Sequence, residues 1–429
     1  MRTIIKKTIS NPSHFKAQLL HWATSYRELV FLDSNDYQQK YSNYDCVLAV
    51  EAFTAIKTDY DKAFEALHEY QSQTQDWLFG YLSYDLKNDT ESLYSNNYDG
   101  LDFPDLFFFQ PKKLFLLQGN ELEMHYLNFC NDEIEEDFNT IQNTTLVERE
   151  RAVQDFKINQ RISAAAYLEK VGTLLKHIQQ GDVYEANFCM EFYAQEAIIH
   201  PLETYQKLNA ISAPPFAAFF KNDFHYLMCA SPERYLKKEG CIVLSQPIKG
   251  TAKREADDVS DLISKKELAT HPKERSENIM IVDLVRNDLS KTAVKGSVQV
   301  TELCEVYSFK QVHQMISTIQ SEVAPNTSPV KIIQTTFPMG SMTGAPKISA
   351  MQLIERLEET KRGLYSGAVG YFTPEGDFDF NVVIRSILYH AKKQYLSFSV
   401  GSAITAQATP EKEYEECLLK AKAMFEVLG

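Results

Sequence analysis

Four glutamates, set in two pairs, make the first chemical suggestion in this chain. Glu274 and Glu277 lie three residues apart in a stretch that reads as helix, so both carboxylates share one face. Glu413 and Glu416 repeat that spacing near the other end of the chain, with Lys420 one turn further on. A hard cation such as Mg²⁺ takes oxygen ligands, commonly one or two carboxylates with water and substrate. The same pattern also describes a solvated helix face, where an i, i+4 Glu–Lys pair contributes about 0.2–0.5 kcal/mol. A third feature is Lys249, in Ser245-Gln-Pro-Ile-Lys-Gly-Thr251. Between Pro and Gly it reads as a turn residue; as a nucleophile it would need burial or a nearby cation to lower its pKa. The segment Gly340-Ser-Met-Thr-Gly-Ala-Pro-Lys347 lacks the Walker spacing. It reads as a turn, or as a loop whose free N–H groups and Thr343 hydroxyl could hold an anion.

The elements that must position these residues alternate without regular βαβ units, which predicts an α+β or layered α/β fold. Cys46–Val50, Trp77–Ser83 and Lys113–Leu117 read as strands, and Asn88–Asp99 as a polar loop. Residues 131–160, acidic and then polar, read as a linker or exposed connection. Ala165–Gln180 has a helical stripe of Tyr167, Val171, Leu174, Leu175 and Ile178, closed by Gly181. Phe216–Met228, Cys241–Leu244, Tyr365–Phe372, Asp379–His390 and Tyr395–Val400 are strand-like, and Leu262–Asn287 is helical by pattern. A last helix, Glu411–Leu428, buries Tyr414, Cys417, Leu418, Ala421, Met424, Phe425 and Leu428 and sets Glu413, Glu416 and Lys420 beside that stripe.

Composition excludes several classes. The 429 residues carry 44 Lys plus Arg against 58 Asp plus Glu, a formal net charge of −14, which argues against nucleic-acid binding. Apolar runs such as Leu106–Phe109 and Ile279–Val282 fall far short of the roughly 20 residues a membrane span needs. Met1–Lys16 lacks the apolar stretch of a secretory signal. The seven cysteines are odd in number and scattered, with no CxxC or Cys/His cluster, which suits reduced thiols in a cytoplasm. No GxGxxG, GxSxG or HExxH motif is present.

Read in order, many segments resemble the chorismate-utilising enzymes: anthranilate, aminodeoxychorismate, isochorismate and salicylate synthases. They are Gly181-Asp-Val-Tyr-Glu-Ala-Asn187, Ser231-Pro-Glu-Arg234, Pro247-Ile-Lys-Gly-Thr251 and the run from Glu277 to Asp288. Then come His313, Gly340–Lys347, Tyr365-Ser-Gly-Ala-Val-Gly370, Ile384-Arg385, Gly401-Ser-Ala-Ile404 and Glu413-Tyr-Glu-Glu416 with Lys420. Gly80-Tyr-Leu-Ser-Tyr-Asp85 and Phe103-Pro-Asp-Leu106 match the N-terminal half less strongly. The resemblance implies two large antiparallel sheets packed face to face with helices outside. Residues 1–155 would be the N-terminal part, with a regulatory site in prospect, and 156–429 the chorismate-binding catalytic region. It implies Mg²⁺ on Glu277 and Glu416, supported by Glu274 and Glu413. Tyr365, Arg385, Lys420 and the backbone at Gly401 and Ser402 would grip substrate carboxylates, with Thr343 and His313 near the ring and its leaving hydroxyl.

Two positions sort the subfamilies. Isochorismate and salicylate synthases resemble one another in a water-activating lysine where this chain has Glu185, so water attack is not expected. Anthranilate synthases have Ala in place of Lys249, whereas the lysine marks aminodeoxychorismate synthases. There the amine adds at C2 of chorismate as the C4 hydroxyl leaves; ammonia then attacks C4 and expels the lysine, giving 4-amino-4-deoxychorismate for p-aminobenzoate and folate synthesis. The resemblance thus implies a transferase component fed with ammonia by a separate glutamine amidotransferase, since no stretch reads as a glutaminase. Glu185 departs from the Gln usual in that subfamily, and a carboxylate there would repel a dianion unless it is protonated or faces a cation. The rival readings are anthranilate synthase component I, whose Leu-Glu-Ser feedback motif has only the poor match Val47–Ala52, and a non-catalytic binding subunit.

Overall fold

Two long apolar strands, Cys46–Thr58 and Leu106–Gln118, pair antiparallel and form the ribbon on which the molecule is built. The computed structural model describes residues 1–37, 40–146, 156–310 and 312–429. The free edge of Leu106–Gln118 is shared. Its first half takes Leu78–Leu82, followed outward by Ala368–Phe372, Phe378–Val382, Arg234–Glu239, Ile242–Gln246 and Val312–Glu322. Its second half takes Glu121–Leu127 and then Arg2–Thr8. From the other edge of Cys46–Thr58 run Glu28–Asp33, Phe216–Asn222, His225–Ser231, Ser386–His390, Tyr395–Thr405 and Glu185–Ala194. The result is two antiparallel sheets joined through one ribbon, the α+β arrangement expected. Apolar residues of both, among them Val30, Ala49, Tyr81, Phe107, Phe220 and Leu236, make the layer between them. A second apolar layer lies under the outer helices, where Leu19, Phe138, Val171, Leu208 and Met424 pack.

Several elements fall as the patterns predict. The helix Ala164–Gln180 starts on a Ser163 side-chain cap and ends at Gly181, whose φ of 85° is the left-handed conformation glycine adopts without strain. The final helix spans Pro410–Leu428. Leu418 is exposed, however, and Glu413 joins Cys417, Ala421, Met424 and Val427 on the buried face, so Glu413 is no solvated surface residue.

Other expectations need correction. Within 131–160, Ile134–Gln142 is a helix burying Ile134, Phe138 and Ile141 at i, i+4, i+7, and Phe138 meets Phe15 of the Pro12–Ala23 helix. Its Glu135, Glu136 and Asp137 sit in the first turn, where the helix dipole favours them, and they mask the apolar stripe. Residues 147–155 of that linker lie outside the described residues. Leu262–Asn287 is two helices, Asp258–Thr270 and Pro272–Ser290, because Pro272 cannot continue a helix but suits the first turn of a new one. Phe216–Met228 is a hairpin, and Asp379–His390 breaks into two strands at Val383–Arg385. Asn88–Asp99 is loop apart from the short helix Lys87–Thr90.

Candidate active site

Lys249 is no exposed turn residue. It lies on the strand Ile248–Lys253, whose register against Val312–Glu322 slips between Ile248 and Thr251. Its Nζ is 2.6 Å from Oε1 of Glu185, which is fully buried. Glu185 opens the strand Glu185–Ala194 and pairs there with Ala345, while Ala186 pairs with Gly344. Gly344 has a φ of +141°, and a Cβ there would come within 2.1 Å of the Glu185 carbonyl oxygen, so only glycine lets the two chains close. The second Glu185 oxygen, Oε2, is buried without a hydrogen-bond partner among the described residues. Burial acts to lower the Lys249 pKa, but Glu185, Glu277 and Glu233 outweigh it and hold the amine above its ordinary value. The repulsion anticipated for Glu185 is thus answered by a cation.

A second carboxyl faces the same amine. Glu233, from Ser231-Pro-Glu-Arg234, is buried and accepts a hydrogen bond from Ser341 Oγ at 2.6 Å. Burial pushes its pKa up to about 7, opposed by Ser341, Lys249 and Arg385. It is protonated over a pH range where an ordinary glutamate is not, as a general acid requires. Sequence reasoning quoted its motif but gave it no role; a glutamate after Pro carries no periodic signal, and only its burial beside Lys249 marks it out. Arg385, with a φ of 49°, is half-buried; its carbonyl accepts from the Ala230 N–H, but its guanidinium makes no hydrogen bond or ion pair with another described residue and is available to an anion.

The acidic pairs come together across two helices. Lys273 Nζ stands 3.7 Å from both Glu277 Oε1 and Glu413 Oε1. Glu416 pairs with Lys420 at 2.6 Å, and Lys420 also donates to the Gly401 carbonyl at 2.9 Å. Burial raises the Glu277 pKa to about 7, and burial together with Glu416 raises that of Glu413. Glu274, at the start of the helix, lies under Gly250. Among the described residues no three potential ligands form a ready-made metal cage. The donor set nevertheless fits a hard cation: it is all carboxylate, and Glu277 Oε1 is buried without a hydrogen-bond partner.

The remaining candidates spread around these clusters. Tyr365 is buried, its hydroxyl 3.9 Å from Cys189 Sγ, and Ser402 is buried against the Tyr167 hydroxyl at 3.0 Å. In the Gly340–Lys347 loop the N–H groups of Met342 and Thr343 bond the Met339 and Gly340 carbonyls, and the Thr343 hydroxyl donates to the same two carbonyls. Thr343 contributes its carbonyl instead, accepting from the Asn187 N–H at 2.8 Å. None of the hydrogen bonds of His313 reaches the Lys249 cluster. Its ring nitrogens meet Ser308 at 2.9 Å and Asp261 at 3.0 Å. The adjacent Gln314 is buried on the opposite face of that strand, and its Oε1 has no partner among the described residues. Behind the loop, Arg362 donates to the Met342 and Asn187 carbonyls and to Glu358, fixing both segments.

Relatives place this arrangement. The chorismate binding enzyme family matches residues 27–426. The probable chloroplastic aminodeoxychorismate synthase of Oryza sativa subsp. japonica is 40% identical over 265 residues, 61% of this chain and 29% of that protein. The chain thus spans under a third of the length of that relative. Aminodeoxychorismate synthase component 1 of Bacillus subtilis (strain 168) is 30% identical over 375 residues, 85% of this chain and 79% of its own. Anthranilate synthase component 1 of Thermus thermophilus is 31% identical over 358 residues, 82% and 77% of the two chains. The solved structure of anthranilate synthase component I from Streptococcus pneumoniae TIGR4 shares the fold, with a TM-score of 0.78 at 23% identity over 90% of this chain and 93% of that one. With the family pattern running from residue 27 to residue 426 and the fold to match, the chain belongs to the chorismate binding enzymes.

Proposed function

We propose that this chain is the synthase component of an aminodeoxychorismate synthase, converting chorismate and ammonia to 4-amino-4-deoxychorismate. The observation that carries the reading is the Lys249 amine, paired with Glu185 at 2.6 Å and within electrostatic reach of Glu233. A nucleophile and an acid at one place suit a substitution in which a ring carbon gains nitrogen as a hydroxyl leaves. Lys249 Nζ adds at C2, and Glu233 is better placed than Thr343 or His313 to protonate the departing C4 hydroxyl. Ammonia then attacks C4 and the lysine departs.

Chorismate is a dianion and the chain is net negative, so binding relies on local cations rather than long-range steering. Arg385 and Lys420, with Tyr365 and the Gly401–Ser402 backbone, would take the carboxylates. Glu277 and Glu416, supported by Glu274 and Glu413, would hold Mg²⁺, which when bound supplies positive charge to a substrate carboxylate. Ammonia would come from a glutamine amidotransferase partner. In support, burial raises the pKa of six of the seven thiols, to about 12 for Cys189 and about 11 for Cys229, so those six are unsuited to a glutaminase nucleophile.

The test is Lys249→Ala, assayed with chorismate, Mg²⁺ and ammonium salt. The reading expects aminodeoxychorismate formation to fall at least about 10³-fold with chorismate affinity kept. Full activity in the variant would refute the covalent role.

A further inference from the structure

We propose that Glu185 is the base of this site: its carboxylate takes the proton from Lys249 and leaves the neutral amine that attacks the ring. The proposal rests on the lysine-adduct reading above. Two observations carry it. Glu185 Oε1 stands 2.6 Å from the Lys249 ammonium, a distance at which a proton passes directly between them. Glu185 is fully buried, yet its other oxygen has no hydrogen-bond partner among the described residues, and no group besides Lys249 donates to its side chain. At rest the surrounding carboxylates hold the amine protonated, and Glu185 sits beside it to take the proton as the amine attacks. Its backbone is fixed by pairing with Ala345 on one side and Thr405 on the other, so the side chain has a set direction.

The electron and proton count closes. The Nζ proton moves to Glu185. The Nζ lone pair forms the bond to C2, the ring double bonds shift, and the C4–O bond breaks with a proton from Glu233, releasing water. Ammonia bonds to C4, and the C2–N pair returns to Lys249 as a neutral amine. The new ammonium gives a proton to Glu233, and Glu185 returns its own to Lys249. Other charged groups face the pair: Glu277 from the Pro272–Ser290 helix, Glu416 from the last helix, and Glu233, with Glu274 beside Glu277. Lys273 and Arg385 lie behind these, facing Glu277 and Glu233.

The test compares wild type, Glu185→Gln and Glu185→Asp as full chains with Mg²⁺ and chorismate. Without ammonium, intact mass follows the lysine adduct; with it, aminodeoxychorismate formation is followed against pH. Glu185→Gln, which can orient the amine but cannot take its proton, is expected to keep KM within about threefold while adduct formation slows about 100-fold. Below about pH 7, where Glu233 keeps its proton and wild type is level, the variant's rate should climb about tenfold per pH unit, because solution must then remove the proton. Glu185→Asp should retain the level profile at a lower rate, which keeps the idea open to refutation if the glutamine variant is poorly folded. Wild-type rate and profile in Glu185→Gln would overturn this proposal alone. Absence of any lysine adduct in wild type would overturn the lysine-adduct reading, and with it this one.

Discussion

At the scale of single residues, the account turns on carboxyl groups whose surroundings set them apart. Glu233 is the acid. Glu233→Gln should lower turnover about 10²–10⁴-fold while leaving Lys249 in place, and rates measured across pH should lose the alkaline fall that deprotonation of Glu233 imposes on wild type. The same group bears on stability. Its folded pKa of about 7 lies above the ordinary 4.5, so the stability it contributes when neutral is fully present below 4.5 and lost as pH rises through about 7. Thermal melts of the free protein should therefore decline more across that window for wild type than for Glu233→Gln. Arg385 and the site roles entered only through the family resemblance, while the acidic pairs and the Lys249 segment were legible as candidates from residue type and spacing. Glu233 and the Glu185–Lys249 pair were not, because contact between residues 64 apart in the chain leaves no local periodicity.

At the scale of elements, two helices and one glycine bear the load. Glu277 and Glu413 approach Lys273 from separate helices, so under the proposed Mg²⁺ reading metal affinity would depend on the packing of the last helix through Cys417, Ala421 and Met424. Glu413→Gln should raise the Mg²⁺ concentration for half-maximal activity about 10–100-fold, read by metal titration of the assay. Gly344→Ala should cost about 1–3 kcal/mol in urea unfolding and most of the activity, since its Cβ would collide with the Glu185 backbone. Helices with clear stripes and caps, such as Ala164–Gln180, were legible from the sequence. The Ile134–Gln142 helix was hidden because its acidic first turn imitates a solvated connection, and the break at Pro272 was hidden because helical periodicity continues on both sides of it.

At the scale of the whole molecule, the two ends of the chain share one frame. Leu78–Leu82 pairs with Ala368–Phe372, and Asp85 accepts from the Gly363 N–H beside the loop leading to Tyr365. Residues 156–429 expressed alone should lack a cooperative unfolding transition, because that fragment would expose the strand edges and apolar faces that the first part covers. Such long-range pairing is what a one-dimensional reading resolves least, although the family resemblance implied the sheets. The most direct measurement is product identification: purified protein with chorismate, Mg²⁺ and ammonium salt, the products separated by chromatography and weighed by mass. The account predicts a non-aromatic amino product that retains its enolpyruvyl group; anthranilate, isochorismate or no turnover even with a glutaminase partner present would contradict it.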